Sequence, residues 1–129
     1  MTDQKTTETD WRDELERRYE PWFSQCAWGI AVDDGWRGLL EDLCERLHEV
    51  MSEAERAEFR VTQVKEKFGS LRFYTAATPR AAEPLIDRAE EVSARTCERC
   101  GGPGVVHAHR GWYRCLCTAC SSLLRLADK

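Results

Sequence analysis

The chain has 129 residues, of which 42% are hydrophobic and 33% are charged, and its formal net charge is −4. That length fits one compact domain, and the apolar content is too high for a wholly disordered chain. The sequence has no run of about 18 apolar residues and no apolar leader, so it predicts neither a membrane span nor a secretory signal. We therefore expect a cytoplasmic protein whose polar residues 1–9 are disordered.

The charges divide unevenly along the chain. Residues 1–60 carry 8 Lys/Arg and 16 Asp/Glu, a balance of −8, whereas residues 61–129 carry 11 and 7, a balance of +4. An acidic half beside a mildly basic half could contact two kinds of partner, or the two halves could simply attract each other.

The first predicted element is a helix over residues 10–19, with Asp10 as its N-cap. The aromatic run over residues 22–30 has no clean period, and we expect it to wrap the core. Alternatively, Trp22 and Trp28 form an exposed surface that contacts a partner, because tryptophan is enriched at binding hot spots.

The clearest helix runs from about Gly35 to Met51, where apolar residues recur at i, i+3, i+4 and i+7 and predict one buried stripe. Cys44 lies on that stripe and is expected to be a buried small hydrophobe. Ser52 and Glu55 fit a Ser-x-x-Glu capping box, which predicts the start of a second, short helix.

A change to period two predicts a β-hairpin over residues 60–75, with the dipeptide Gly69-Ser70 as its turn. A two-stranded hairpin is marginal in water, so it must pack on the helices. We expect Phe68, Leu71 and Phe73 to be buried there.

The same hairpin carries the cations Lys65, Lys67 and Arg72. One interpretation is that they are solvated charges. The other is that they grip phosphate or an acidic protein surface.

A further amphipathic helix follows Pro84 and extends to about Arg95, where the cysteine cluster begins. We therefore predict an α+β protein with two parts. Residues 1–95 form a small helical domain with a β-hairpin, and residues 96–129 form a zinc-ribbon or treble-clef-like module packed on it.

Seven cysteines occur in the chain, and four of them form two C-x-x-C pairs separated by sixteen residues. This spacing is typical of a four-thiolate zinc site with the ligands Cys97, Cys100, Cys117 and Cys120. Glycine after the first pair allows a tight turn, and a predicted helix after the second pair favours thiolate charge at its first turn. Four cysteines imply a closed site, so we expect zinc to be structural.

Other ligands remain possible at this stage. Cys115 could replace Cys117, although the C-x-x-C pair is the better chelate. His107 and His109 alternate on the connecting segment and could bind a second ion or belong to a nuclease site, or they could be ordinary exposed residues. A redox role for the pairs is disfavoured, because no βαβ pattern surrounds them.

Two segments resemble a family of small zinc-binding proteins from phages and bacterial genomes. Residues 63–74, QVKEKFGSLRFY, are similar to that family's QVKEKFGxLRFY stretch. Residues 93–117 are similar to its second signature, in which a cysteine pair and Pro-Gly lead through Gly-Trp to the last ligands. Gly35-Trp36 also fits, so the resemblance covers about residues 34–120. It implies a phage-type zinc protein, supplies no activity, and favours Cys117 over Cys115 as the ligand.

Three functions are open. We favour a non-catalytic, zinc-stabilised binding protein, an accessory factor of the phage type that modulates or inhibits a host protein or ribonucleoprotein complex, such as a defence or transcription machine. The second is direct nucleic-acid binding through the basic C-terminal half. The third, an HNH-like nuclease, is disfavoured because the expected Asp-His pair is missing and Ser121 stands where Asn is expected.

Overall fold

The computed structural model describes residues 10–109 and 111–127, with side chains except at position 109 and positions 124–127. The predicted disorder of residues 1–9 lies outside the described residues. Helices, a three-stranded sheet and a two-stranded sheet give a mixed α+β fold with a cysteine cluster near the C-terminus, which confirms the predicted fold class at that level.

The described part of the chain contains five α-helices: α1 Trp11–Arg18, α2 Arg37–Val50, α3 Glu53–Glu58, α4 Glu83–Ser93 and α5 Thr118–Ala127. Asp10 caps α1 by accepting a hydrogen bond from the Arg12 amide, as predicted. Both hydrogen bonds of the Ser52–Glu55 capping box are present and start α3. None of the helices described is long and apolar enough to cross a membrane.

Three strands form the main sheet: β1 Ala27–Ala31, β2 Arg60–Lys67 and β3 Ser70–Ala76. The order is β1-β2-β3, with β1 parallel and β3 antiparallel to β2. The hairpin of β2 and β3 is the one that the sequence predicts, whereas β1 is unexpected. A second hairpin pairs β4, Val105–His109, with β5, Trp112–Leu116.

The turn of the main hairpin lies one residue earlier than predicted. Lys67 pairs with Ser70, so the two turn residues are Phe68 and Gly69, at φ 54° and 86°. A two-residue hairpin loop favours positive φ at both positions, because that backbone matches the twist of the strands. Phe68 consequently points away from the core and is 63% exposed, so its predicted burial is wrong. Leu71 and Phe73 are buried as predicted.

The aromatic run divides between core and surface. Trp22 is buried: it donates from Nε1 to the Arg56 carbonyl (3.2 Å) and packs edge-on against Phe59. The expectation that Trp22 contacts a partner is therefore wrong, because its ring is used in the core. Trp28 is 86% exposed, at φ 65°, where a register shift interrupts the pairing of β1 with β2.

Candidate metal centre

The four cysteines of the two C-x-x-C pairs meet at one point. The Sγ atoms of Cys97, Cys100, Cys117 and Cys120 all lie within 4.8 Å of one another, and those of Cys100 and Cys117 are 3.7 Å apart. A tetrahedral ion with metal–sulfur bonds of about 2.3 Å would place its sulfur ligands about 3.8 Å apart. All seven cysteines are free thiols. The cluster is therefore compatible with a bound metal ion.

The first pair sits on a tight turn that the backbone closes. Cys97 N–H donates to the Gly102 carbonyl (2.7 Å), and Gly101 N–H donates back to the Cys97 carbonyl (2.9 Å). Gly101 has φ 88°, a conformation that glycine adopts without strain. The turn brings Cys97 and Cys100 to the same side of the segment.

The second pair is positioned by the start of α5. Cys117 lies directly before the helix, and Cys120 lies in its first turn. The Cys120 N–H donates to Cys117 Sγ at 3.4 Å, so a free amide of the helix start stabilises negative charge on that sulfur.

The thiols of the cluster share protons unequally. Burial raises the pKa of Cys97, but backbone amides, that of Cys100 first, lower it to about 6. The Cys120 amide also lowers the pKa of Cys117. The Cys120 thiol itself shares a hydrogen bond with the Cys117 sulfur, and this side-chain contact is the main cause that raises the pKa of Cys120 to about 12. Four thiolates this close repel one another, so a divalent cation would be needed to hold all four ionised.

Cys115 lies outside the cluster. Its side chain belongs to the main apolar core, and its carbonyl accepts a hydrogen bond from Glu98 N–H (2.9 Å). Burial raises the pKa of Cys115 to about 11 and that of Cys44 to about 12, as expected of thiols among apolar neighbours. The structure thus gathers Cys117, rather than Cys115, with the other three sulfurs.

His107, the β4 histidine whose side chain is described, is not gathered with the sulfurs. Among described side chains, the four cysteines are the only group with metal-binding geometry. His107 Nε2 lies 3.2 Å from the Leu116 carbonyl, so that ring nitrogen has a backbone partner. The side chain of His109 lies outside the described residues. Nothing in this part of the chain adds support to a second ion or a nuclease site.

The cysteine module, which we define as residues 96–127, docks on the segment before α2. Trp36 Nε1 donates to the Thr96 carbonyl (2.9 Å), and Gly35 N–H donates to the Glu98 carbonyl (2.6 Å). A Cβ atom at Gly35 would overlap the backbone carbonyls of Cys97 and Glu98. Gly35-Trp36 therefore acts as a contact surface for the turn that carries the first two cysteines.

A buried acid between those cysteines adds to the docking, and sequence reasoning missed it. Glu98 Oε2 accepts from the Asp33 amide (3.1 Å), while Oε1 lies 3.5 Å from Arg114 Nε. Arg114 also donates to the Asp33 carboxylate (2.9 Å). Burial raises the pKa of Glu98. A residue inside a C-x-x-C turn follows no helical or strand period, so no local pattern could have revealed this burial.

Aromatic side chains cluster where the module meets the main hairpin. The rings of Phe68 and Tyr113 lie 5.6 Å apart in an edge-to-face arrangement. Val106 packs over Gly69, where an added Cβ would lie 2.7 Å from its Cγ1. We call Phe68, Val106 and Tyr113 the junction patch. The last two were not predicted, because the contact joins two distant hairpins.

The cations predicted to contact a partner share one face of the sheet. Lys65 lies directly opposite Arg72, and Lys67 lies two residues further along β2. Lys67 Nζ is 5.6 Å from the centroid of the Phe68 ring. Trp28 also remains accessible, on β1 of the same sheet.

Comparison of the chain with family models, curated proteins and solved structures gives no match. The family resemblance of residues 63–74 and 93–117 therefore stays a prediction.

Proposed function

We propose that the chain is a non-catalytic, zinc-stabilised binding protein with a treble-clef-like cysteine module. The order of a cysteine turn, the β4–β5 hairpin and a helix that carries the second cysteine pair supports this arrangement. Zinc suits four sulfur ligands in a tetrahedron. Four thiolates would fill its coordination shell and leave no position for a substrate, so its role would be to stabilise the fold.

The observation that carries the binding function is the exposed junction patch. Tyr113 and Val106 are each 41% exposed, although they contact the turn of the other hairpin. Exposed apolar side chains that form a contiguous cluster mark interaction sites more often than scattered ones do, and Tyr and Phe are enriched at interfaces. Because the patch joins the module to the sheet, bound zinc would hold it in shape.

The biological role that we propose is that of a phage-type accessory factor, which modulates or inhibits a host protein or ribonucleoprotein complex. The family resemblance and the small size support this role. A further support is the charge of the first 60 residues, −8, because an acidic surface can occupy a site meant for nucleic acid.

Affinity capture from host lysate at physiological salt tests the proposal, with bound proteins identified by mass spectrometry. The double variant Phe68→Ser/Tyr113→Ser should lose the captured complex, whereas Val50→Ser, which changes an exposed apolar residue at the end of α2, should retain it. Both variants should keep their zinc. Equal capture by the double variant and the wild type would contradict the junction patch as the binding surface.

A further inference from the structure

We infer that the solvent face of the three-stranded sheet binds single-stranded nucleic acid, with Lys65, Lys67 and Arg72 contacting phosphates and Tyr74 and Trp112 stacking on bases. This assignment rests on the proposed function: it takes the partner to be a ribonucleoprotein complex and single-stranded nucleic acid to be the component that this face contacts. It involves a surface next to the junction patch but made of different residues.

Within residues 10–109 and 111–127, the cations on this face have no acidic ion-pair partner. Lys65 and Arg72 are directly opposite each other on neighbouring strands, an arrangement in which like charges destabilise a sheet. No described carboxylate lies within ion-pair distance of Lys65, Lys67 or Arg72. By contrast, Arg12 and Arg114 are each paired with acids. A bound anion would relieve the electrostatic repulsion between Lys65 and Arg72.

Aromatic rings flank these cations. Tyr74 lies two residues beyond Arg72 on the same face of β3 and is 43% exposed. Trp112 is 74% exposed and lines, together with Lys65, a surface groove of about 430 Å³. Three acids, Asp33, Glu66 and Glu98, line the same groove, so only its Lys65 side suits a phosphate. A row of cations beside open ring faces suits a single strand, because its phosphates need positive charge and its unpaired bases can stack.

The edges of the sheet argue against an added peptide strand as the ligand. On the outer edge of β3, Leu71 N–H donates to Ser93 Oγ (2.8 Å) and Phe73 N–H donates to Glu90 Oε2 (2.9 Å). On β1, Ile30 N–H donates to Glu16 Oε2 (3.2 Å). Since these donors are occupied, strand addition would have to displace side-chain partners. The face of the sheet, rather than its edges, is therefore the open surface.

Fluorescence anisotropy tests the inference with the zinc-loaded full chain and labelled oligo-U and oligo-dT of about 12 nucleotides, a length within single-strand site sizes. Both probes should bind at low salt, and the affinity should fall as salt rises. Trp112→Ala should weaken binding by about 10-fold, in the range measured for loss of one stacked base. Lys65→Gln should reduce the salt slope by about 0.7, as expected for one lost phosphate contact. Arg88→Gln, which removes an exposed cation from α4, should change neither.

Three outcomes would overturn the inference. The first is that folded, zinc-loaded protein binds neither probe at low salt, and the second is that Lys65→Gln, Trp112→Ala and the wild type bind equally well. The third is that poly-glutamate competes fully for binding while Trp112→Ala has no effect, which would indicate an acidic protein ligand. Failure here is distinct from failure of the proposed function. Capture of a host complex through the junction patch without oligonucleotide binding would remove only this inference.

Discussion

Two regions of the protein differ in what stabilises them. We call residues 10–95 the body, and residues 96–127 are the cysteine module. The body buries large side chains in a continuous core, among them Trp36, Phe59 and Leu71. Within the described part of the module, the separate buried cluster consists of Cys97, Leu116 and Cys120, with Cys117 beside it. A segment with so small a core needs another source of stability, and a metal ion can supply it.

Removal of the metal should have the largest effect, because it should unfold the cysteine module and leave the body folded. A strong chelator should abolish the hydrogen-exchange protection of β4 and β5, because zinc contributes about 10–16 kcal/mol of apparent binding free energy in small zinc modules. The amides of α2 should remain protected, since the core of the body does not need the ion. If β4 and β5 keep their protection without metal, docking alone orders the module and the contrast is wrong.

Substitution of single cysteines sharpens the comparison, because Cys115 and Cys117 are two residues apart in the module but their side chains lie in different places. That of Cys115 is in the main core, and that of Cys117 is in the cysteine cluster. Cys117→Ser should lose stoichiometric zinc, whereas Cys115→Ser should retain it and unfold more easily by about 1–3 kcal/mol, since it buries a hydroxyl in the main core. Metal analysis together with urea unfolding separates the two effects. Zinc lost from Cys115→Ser and kept by Cys117→Ser would reverse the ligand assignment.

A pair of glycine substitutions tests the contact between the regions. Gly35→Ala should destabilise the zinc-loaded protein by about 1–3 kcal/mol, because its methyl group would overlap the cysteine turn. Gly38→Ala is the matched control. It lies in α2, where an added Cβ would meet no described atom within 4 Å outside the helix's own backbone, so the substitution should stabilise the helix by about 0.5–1 kcal/mol. Denaturant midpoints of the two variants that shift in the same direction would rule out a tight docking at Gly35.

The smallest expected effect is confined to the body. Ser52→Ala removes the side-chain acceptor of the capping box and should cost about 1 kcal/mol of unfolding free energy. Zinc content should stay at the wild-type level, since both hydrogen bonds of the capping box join only Ser52 and Glu55. Ser24→Ala, at an exposed turn position, serves as the control in thermal unfolding. A loss of metal from Ser52→Ala would show that α3 and the cysteine cluster are energetically coupled, which would contradict the separation of the two regions.

The sequence predicts best those parts of the fold that depend on local pattern. The apolar period of α2, the Ser52 capping box and the alternation of β2 and β3 each follow from neighbours within one or two turns. Strand β1 could not be predicted in this way, because its partner lies more than thirty residues away and the register shift near Trp28 breaks its alternation. The predicted turn of the main hairpin was wrong by only one residue. Because Phe68 lies in the turn and not in the strand, its ring is on the surface and not in the core.

The candidate site divides in the same manner. The spacing of the cysteines is a local pattern and identifies the four sulfurs that the structure brings together. The parts that dock the module, such as Gly35 beneath the cysteine turn and the Glu98–Arg114 pair, depend on contacts between distant segments. The aromatic contact of Phe68 with Tyr113 is of the same kind, so it emerges only once both hairpins are placed.

Zinc K-edge X-ray absorption of the natively purified protein tests the central claim most directly, because it reports both the presence of the ion and its ligands. We predict one zinc per chain surrounded by four sulfur atoms at about 2.3 Å. The absence of stoichiometric zinc, or a shell in which nitrogen or oxygen replaces any of the four sulfurs, would contradict the claim that these cysteines form a closed structural site.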